Sequence, residues 1–320
     1  MPDYSLVIPV YFNEGCLLPL MESLQNDVIS KNPQLTCEVI FVDDGSGDRS
    51  LDELLEIREK YDHVEVIKLT RNFGQVNALI AGFTHARGKC VVAMSADGQD
   101  PPAIINDMLK AYYEEGNEVV ICTREGRDES FYRVATSRIF YMLIKKLVFP
   151  NMPESGFDFV LFGERALKTY LKNVDANPFY QGGILWMGYK TKFIKYFRRQ
   201  RFAGKSRWTF GKKITFLIDG ILSYSFFPIR LLSFVGLLIA VLGFAYALDI
   251  LVEKILWGNP VTGWAPIMMV TLVIGGAQLL MLGMIGEYLW RTLSQVRNRD
   301  FYVVDNIYEP KNRQPMPEVR

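Results

Sequence analysis

The sequence predicts an α/β protein: a mostly parallel, Rossmann-like sheet with helices on both faces, followed by two membrane-spanning helices. Three observations carry that prediction. Short β-rich runs alternate with amphipathic segments of helical length between Tyr4 and Thr123. Polar turns rich in aspartate follow the runs one after another. Near the C-terminus, residues 231–248 and 264–286 contain no charged side chain.

The runs are Tyr4–Val10, Glu38–Val42, Val64–Leu69, Cys90–Met94 and Glu118–Thr123. Helical segments open near Glu14, Asp48, Gln75 and Pro101. Continuous apolar strands separated by helices belong to parallel sheets buried on both sides. Pro101 and Pro102 suit a helix start, where a missing N–H costs nothing. Further on, Ile214, Leu217, Ile218, Ile221 and Leu222 recur at helical spacing behind Lys212 and Lys213. That pattern is expected of a helix lying in the membrane interface, or of one packed on the soluble domain. The charge-free stretches approach or reach the roughly 20 apolar residues that cross a bilayer. The alternative is a pair of buried core helices. The turn-like GNPVTG at 258–263 joins them.

Apolar residues make up 49% of the chain and charged ones 22%, so only their segregation is informative. Ten Lys or Arg and no acid lie between Lys190 and Lys213. Arg230 precedes the first apolar stretch, and Arg291, Arg297 and Arg299 follow the second. Glu253 and Lys254 are read as part of the connecting loop. The positive-inside rule then sets both termini in the cytosol, with the chain multi-pass in the inner (cytoplasmic) membrane. The basic block suits anionic membrane lipid, or is a solvated face that only sets orientation. No nucleic-acid partner is expected. Cys16, Cys37, Cys90 and Cys122 lack CxxC spacing and are expected to be reduced and mostly buried. With only His63 and His85 present, a histidine-ligated metal is not expected. The N-terminus has no signal-peptide pattern.

A doubly wound sheet binds ligands at the carboxyl ends of its strands. Those ends carry Pro9, Tyr11, Asn13 and Glu14, then Asp43 and Asp44, then Arg71, then Ser95, Asp97, Gln99 and Asp100, then Arg124. Asp-Gly alone is ordinary turn chemistry. Acids at successive strand ends suit a divalent cation held through oxygen, Mg²⁺ or Mn²⁺. Neither GxxxxGK[ST] nor GxGxxG follows a strand. A cation with a diphosphate but no glycine cradle points to nucleotide-sugar transfer.

The segments IPVYFNE (8–14), FVDDGS (41–46), RNFGQ (71–75), ADGQDPP (96–102), GFDF (156–159) and GKSRW (204–208) together resemble family 2 glycosyltransferases of the GT-A fold. With GNPV at 258–261 and IGEYLWR at 285–291, the chain is most similar to the polyprenyl-phosphate glycosyltransferases. These are the bacterial relatives of dolichol-phosphate mannose synthase. The resemblance implies an inverting hexosyltransferase using a UDP- or GDP-linked sugar and a polyprenyl phosphate, such as undecaprenyl phosphate. It implies a nucleotide pocket of Pro9, Tyr11, Glu14, Asp43, Asp44 and Ser95. Asp97 and Gln99 would hold the metal, with Asp97 and Asp158 in the catalytic centre. Asp158 is otherwise an acid capping a turn. Arg124, Arg133 and Ser137 would bind the acceptor phosphate. Lys205, Ser206 and Arg207 would close over the donor pyrophosphate. Two positions depart from the family pattern: Ser95 replaces the first DxD aspartate, and Val160 replaces an arginine.

The expected division is a catalytic domain over 1–209, an interfacial helix over 210–228, a transmembrane hairpin over 229–290 and a cytosolic tail over 291–320. Gly275, Gly276, Gly283 and Gly286 would permit close helix packing, compatible with a homo-oligomer. Two other readings stand beside this one. A processive polysaccharide synthase would carry QxxRW, but Gly204 occupies the glutamine position before Arg207 and Trp208. A non-catalytic nucleotide-sugar-binding scaffold is suggested by Ser95 and Val160.

Overall fold

All seven residues of β1 (Tyr4–Val10) are buried in the computed structural model, as a central strand covered on both faces requires. The structure describes residues 1–125, 142, 144–154, 156–176, 178–199, 219–257, 263–297 and 299–311. Strands β2 (Cys37–Asp43), β3 (Val64–Leu69) and β4 (Cys90–Ala93) join β1 in parallel. β6 (Val160–Gly163) lies antiparallel between β4 and β5 (Val119–Arg124). β7 (Thr191–Tyr196) pairs in parallel with β5, and β8 (Val304–Tyr308) pairs antiparallel with β3. The order is β7-β5-β6-β4-β1-β2-β3-β8. The mostly parallel α/β sheet is therefore present. β6, β7 and β8 are additions that the sequence pattern did not place.

Helices cover both faces. α1 (Leu17–Leu24), α2 (Ser50–Lys60) and α4 (Ile104–Tyr113) bury Leu20, Leu54 and Met108 against Leu6, Ile8, Phe41 and Val92. On the opposite face α3 (Gln75–His85) lies so close that a Cβ on Gly82 would meet Val7 at 2.3 Å. Beside it α5 (Glu164–Lys172) and α6 (Tyr180–Trp186) contribute Tyr170 and Tyr180, whose rings pack around Phe162 and Phe83. All four cysteines are free, and Cys16, Cys90 and Cys122 are buried.

One residue opens the sheet where a ligand would enter. Val7 accepts a hydrogen bond from Met94 N–H, the last link between β1 and β4. Pro9, two residues on, faces the same flank and has no N–H to offer. β1 and β4 therefore part at Pro9, while Pro9 stays in register with Val42 of β2. Connections leave in opposite directions here, from β1 towards β2 and from β4 towards the β6–β5–β7 side. That is the switch point at which open α/β sheets bind ligands.

Chain contacts divide the protein into Met1–Leu217 with Asp300–Arg320, and Ile218–Arg299. The second unit holds α7 (Phe227–Trp257) and α8 (Trp264–Val296). Both are long and apolar enough to cross a membrane, with 18-residue stretches of mean hydropathy 2.4 and 2.0 inside Phe227–Glu253 and Ile267–Val296. Each is longer than the charge-free stretch that suggested it, and Glu253 and Lys254 belong to α7, not to the loop. Within this unit Arg291 pairs with Asp219 at 2.6 Å and with Glu287 at 3.0 Å. α7 and α8 approach at Gly236, where a Cβ would meet the Met281 methyl at 2.4 Å. Gly275, Gly276, Gly283 and Gly286 face open space. Residues 219–224 are helical, whereas Ile214 and Leu217 of the expected interfacial helix lie outside the described residues.

At the amino ends of the strands two carboxylates are nearly sealed from water: Glu38 is 3% exposed and Glu65 is 2%. Arg87, just past α3, pairs with Glu38 at 2.7 Å and Glu65 at 3.6 Å, and Ser5 donates to Glu38. Removing one partner of a buried ion pair strands the other charge. Arg87→Ala should therefore destabilise the protein by about 3 kcal/mol, lowering the melting temperature of the detergent-solubilised chain by several degrees. An unchanged melt would mean that the two glutamates do not depend on Arg87 for their charge balance.

Candidate active site

The sheet direction decides which residues meet. β1, β2, β4, β5 and β7 all end at one edge, and antiparallel β6 begins there. Asp158, two residues before β6, thus arrives beside Arg124 at the end of β5. The residues after β7 come to the same place.

Asp97, Asp100, Tyr196, Arg198, Arg124 and Asp158 form a chain of alternating charge. Asp97 is 9% exposed, and one of its oxygens accepts from the N–H of Gln99 at 3.2 Å. Gly98 between them has φ +70°, a left-handed turn that favours glycine. The other Asp97 oxygen lies 3.7 Å from the Arg198 guanidinium, whose Nε is 3.8 Å from Asp100. Asp100 has no solvent exposure, and Tyr196 donates its hydroxyl to it. Burial pushes the Asp100 carboxyl upward despite nearby Arg198 and Arg124. Arg124 donates to Asp158 at 2.6 Å. Its charge is fully retained, because the attraction of Asp158 and other neighbours outweighs desolvation.

Asp158 is held from behind. Gly156 takes φ +63°, Phe157 and Phe159 are buried, and the buried Gln181 amide donates to Phe157 C=O at 2.7 Å. Among the described residues, Asp100 Oδ2, Arg124 Nε and Arg198 Nε are buried without a hydrogen-bond partner.

The nucleotide candidates lie across the crevice. Pro9 is buried, Tyr11 is half-buried and Glu14 is exposed. Phe12 adopts φ +56°, uncommon for a non-glycine residue, with its N–H donated to Ser46 Oγ at 3.1 Å. Glu14 is drawn into the turn that opens α2, accepting from Arg49 N–H at 3.4 Å. Asp43, 1% exposed, accepts from Ser46 N–H at 3.2 Å, and burial raises its pKa. Asp44, a nucleotide candidate on the same turn, accepts from the N–H groups of Phe73 and Gly74 at 2.7 and 2.9 Å and so pins the loop that leads into α3. Ser95 is half-buried at the end of β4.

Arg133, Ser137, Lys205, Ser206 and Arg207 lie outside the described residues. Arg198, Tyr196 and Gln181 were not singled out from sequence. Arg198 lay within the basic block read as suited to anionic membrane lipid or as a solvated face that sets orientation.

Among the described residues no group of three or more His, Cys, Asp or Glu surrounds a common point. A hard cation of the Mg²⁺ kind requires only one or two carboxylates when substrate phosphates complete its shell. Asp97 with the side-chain oxygen of Gln99 fits that demand, and the donors are all oxygen. The Gln99 amide nitrogen donates to Arg199 C=O at 3.3 Å, so a ligand atom from Gln99 would be its oxygen.

Residues 5–171 match the description Glycosyl transferase family 2. An uncharacterized glycosyltransferase of Synechocystis sp. is 33% identical over 96% of this chain and 96% of its own. A prophage-derived bactoprenol glucosyl transferase of Shigella flexneri is 31% identical over 94% of this chain and 96% of its own. Among solved structures, glucosyl-3-phosphoglycerate synthase from Mycobacterium tuberculosis with UDP is 17% identical over 69% of this chain and 80% of that one, at a TM-score of 0.49.

Because Asp44 satisfies two backbone donors, Asp44→Ala should cost about 2 kcal/mol and release the 71–74 loop. Limited trypsin digestion should then cleave faster after the exposed Arg71. Unaltered cleavage and melting would show that the loop is held by something else.

Proposed function

The chain belongs to glycosyl transferase family 2, and from that premise we propose that it moves a hexose from a nucleoside-diphosphate sugar to a polyprenyl phosphate in the membrane. The observation that carries this reading is the convergence of Asp97, Asp100, Arg198, Arg124 and Asp158 at one sheet edge. In the same chain two helices are long and apolar enough to span a bilayer. The bactoprenol glucosyl transferases, alike over nearly the whole length, support undecaprenyl phosphate as the acceptor. The donor is a UDP- or GDP-linked sugar. The site faces the cytosol, with α7 and α8 crossing the membrane and both termini on the cytosolic side, as the flanking arginines favour.

The loop after β1, with Asp43 and Ser95, lines the nucleoside pocket. Asp97 and Gln99 hold Mg²⁺ or Mn²⁺, which when bound neutralises charge building on the departing diphosphate. Asp158 is not needed as a base. A phosphate monoester has a second pKa of about 6, so the acceptor oxygen is already anionic at neutral pH. Held by Arg124 and by the buried turn behind it, Asp158 instead orients the sugar. A phosphate oxygen attacks the anomeric carbon as the bond to the donor diphosphate breaks on the opposite side, inverting that centre. Alignment supplies much of the acceleration, and electrostatics at the diphosphate supplies the rest. Arg133 and Ser137 for the acceptor phosphate, and Lys205, Ser206 and Arg207 for the donor, complete the assignment by family motif.

Purified full-length protein with UDP- and GDP-hexoses, undecaprenyl phosphate and Mg²⁺ or Mn²⁺ should yield one lipid-phosphate-linked hexose, identified by mass spectrometry. Asp97→Ala should lower the rate at least about 100-fold, the scale of losing a transition-state charge partner. A polymer in place of a single hexose would indicate a processive synthase. Failure of every donor would indicate a non-catalytic binder, and full activity of Asp97→Ala would remove the metal assignment.

A further inference from the structure

We propose that Arg198 is a resident counter-cation of Asp97, which it exchanges for the donor diphosphate when a divalent cation arrives, making cation and nucleotide binding cooperative. The inference rests on the nucleotide-sugar reading above.

The geometry separates a fixed backbone from a loosely held head group. The neighbouring residue is clamped on both sides: Arg199 N–H donates to Gln99 C=O at 2.9 Å, and the Gln99 side chain donates to Arg199 C=O at 3.3 Å. The strand leading in ends on buried Tyr196, which is bonded to Asp100. Arg198 is thereby anchored beside the 97–100 turn. Its guanidinium is nevertheless 3.7 Å from Asp97 and 3.8 Å from Asp100, attraction without the short bidentate fork that arginine forms when locked. Its Nε is buried and has no hydrogen-bond partner among the described residues. Arg124, in contrast, is committed to Asp158 at 2.6 Å.

A cation bound by Asp97 and Gln99 would place two positive charges against that guanidinium on the same carboxylate. Repulsion at such range is strong in a half-buried site. The donor brings the remedy, since a diphosphate oxygen offers the fork an anion while completing the cation's shell. Cation and nucleotide each remove an obstacle for the other, and thermodynamic linkage makes the effect reciprocal.

Mn²⁺ binding to the detergent-solubilised full chain, read from the electron paramagnetic resonance of free Mn²⁺, tests this without turnover. In wild type, Mn²⁺ alone should bind weakly, and saturating UDP or GDP should tighten it at least about tenfold. Arg198→Gln should bind Mn²⁺ alone about tenfold tighter, with the nucleotide-dependent gain shrinking towards one. Arg198→Met should behave the same way. Arg198→Lys, which keeps the charge, and Arg199→Gln, which removes an exposed neighbour, should stay close to wild type. Unchanged or weaker Mn²⁺ binding in both neutral Arg198 variants, with wild type still binding Mn²⁺ plus nucleotide, would overturn this proposal alone. No Mn²⁺ binding to wild type with either nucleotide would overturn the metal assignment and this proposal together.

Discussion

A carboxylate with no access to water has to be neutralised where it lies, and Asp100 is such a group. Leaving an acid charged in a low-dielectric interior costs several kcal/mol unless cations and donors surround it. Its neighbours come from far along the chain: Tyr196 and Arg198 from the end of β7, and Arg124 from the end of β5. None of these can be near Asp100 unless β5 and β7 run parallel to β4. They do so only because one antiparallel strand, β6, separates β4 from β5. That same strand delivers Asp158 to the edge. One buried acid thus ties the topology of half the sheet to the composition of the site.

The β1–β4 half of the sheet was legible in the sequence because its information is local. Its strands are uninterrupted apolar runs, and each observed boundary falls within one residue of the pattern. β6 is only four residues long, and β7 (TKFIKY) mixes lysine with apolar residues without alternation at an exposed edge, so neither gives a clear period. β8 pairs with β3 from the far side of the two long helices, a partner no local window contains. The site divides in the same way. Asp97 and Asp158 were readable as acids after strands. Asp44 was readable as an acid but not as the residue that pins the loop before α3, because the Phe73 and Gly74 amides it accepts from belong to another part of the chain. Arg198 was hidden among ten cations, and only the end of β7 distinguishes it from the rest.

The return of the chain as β8 also bears on the membrane. Lys68 reaches Asp305, Arg58 donates to Glu309 C=O at 2.7 Å, and Lys311 pairs with Glu59 at 2.7 Å. These contacts place residues after α8 in the same unit as the residues before α7. A segment that leaves a soluble unit and rejoins its sheet crosses a bilayer an even number of times or not at all. Two apolar helices meet that condition, and one would not. Pairing of β8 with β3 is therefore compatible with the membrane hairpin proposed above.

Carboxylates and guanidiniums dominate the site. Among the described residues its members are carboxylates, guanidiniums and one tyrosine held protonated by burial and the adjacent Asp100. Proton transfer by a poised group would require a side chain with a pKa near the working pH. Neither His63, which borders β3, nor His85, at the end of α3, lies among the strand-end residues. A reaction between an acceptor that is already an anion and a donor that leaves as one makes no such demand. What it requires is permanent charge placed to hold one diphosphate, one phosphate and one cation apart until they are aligned. The alternation of acid and arginine from Asp97 to Asp158 suits that demand of the proposed reaction, and the buried Asp100 lies at its middle.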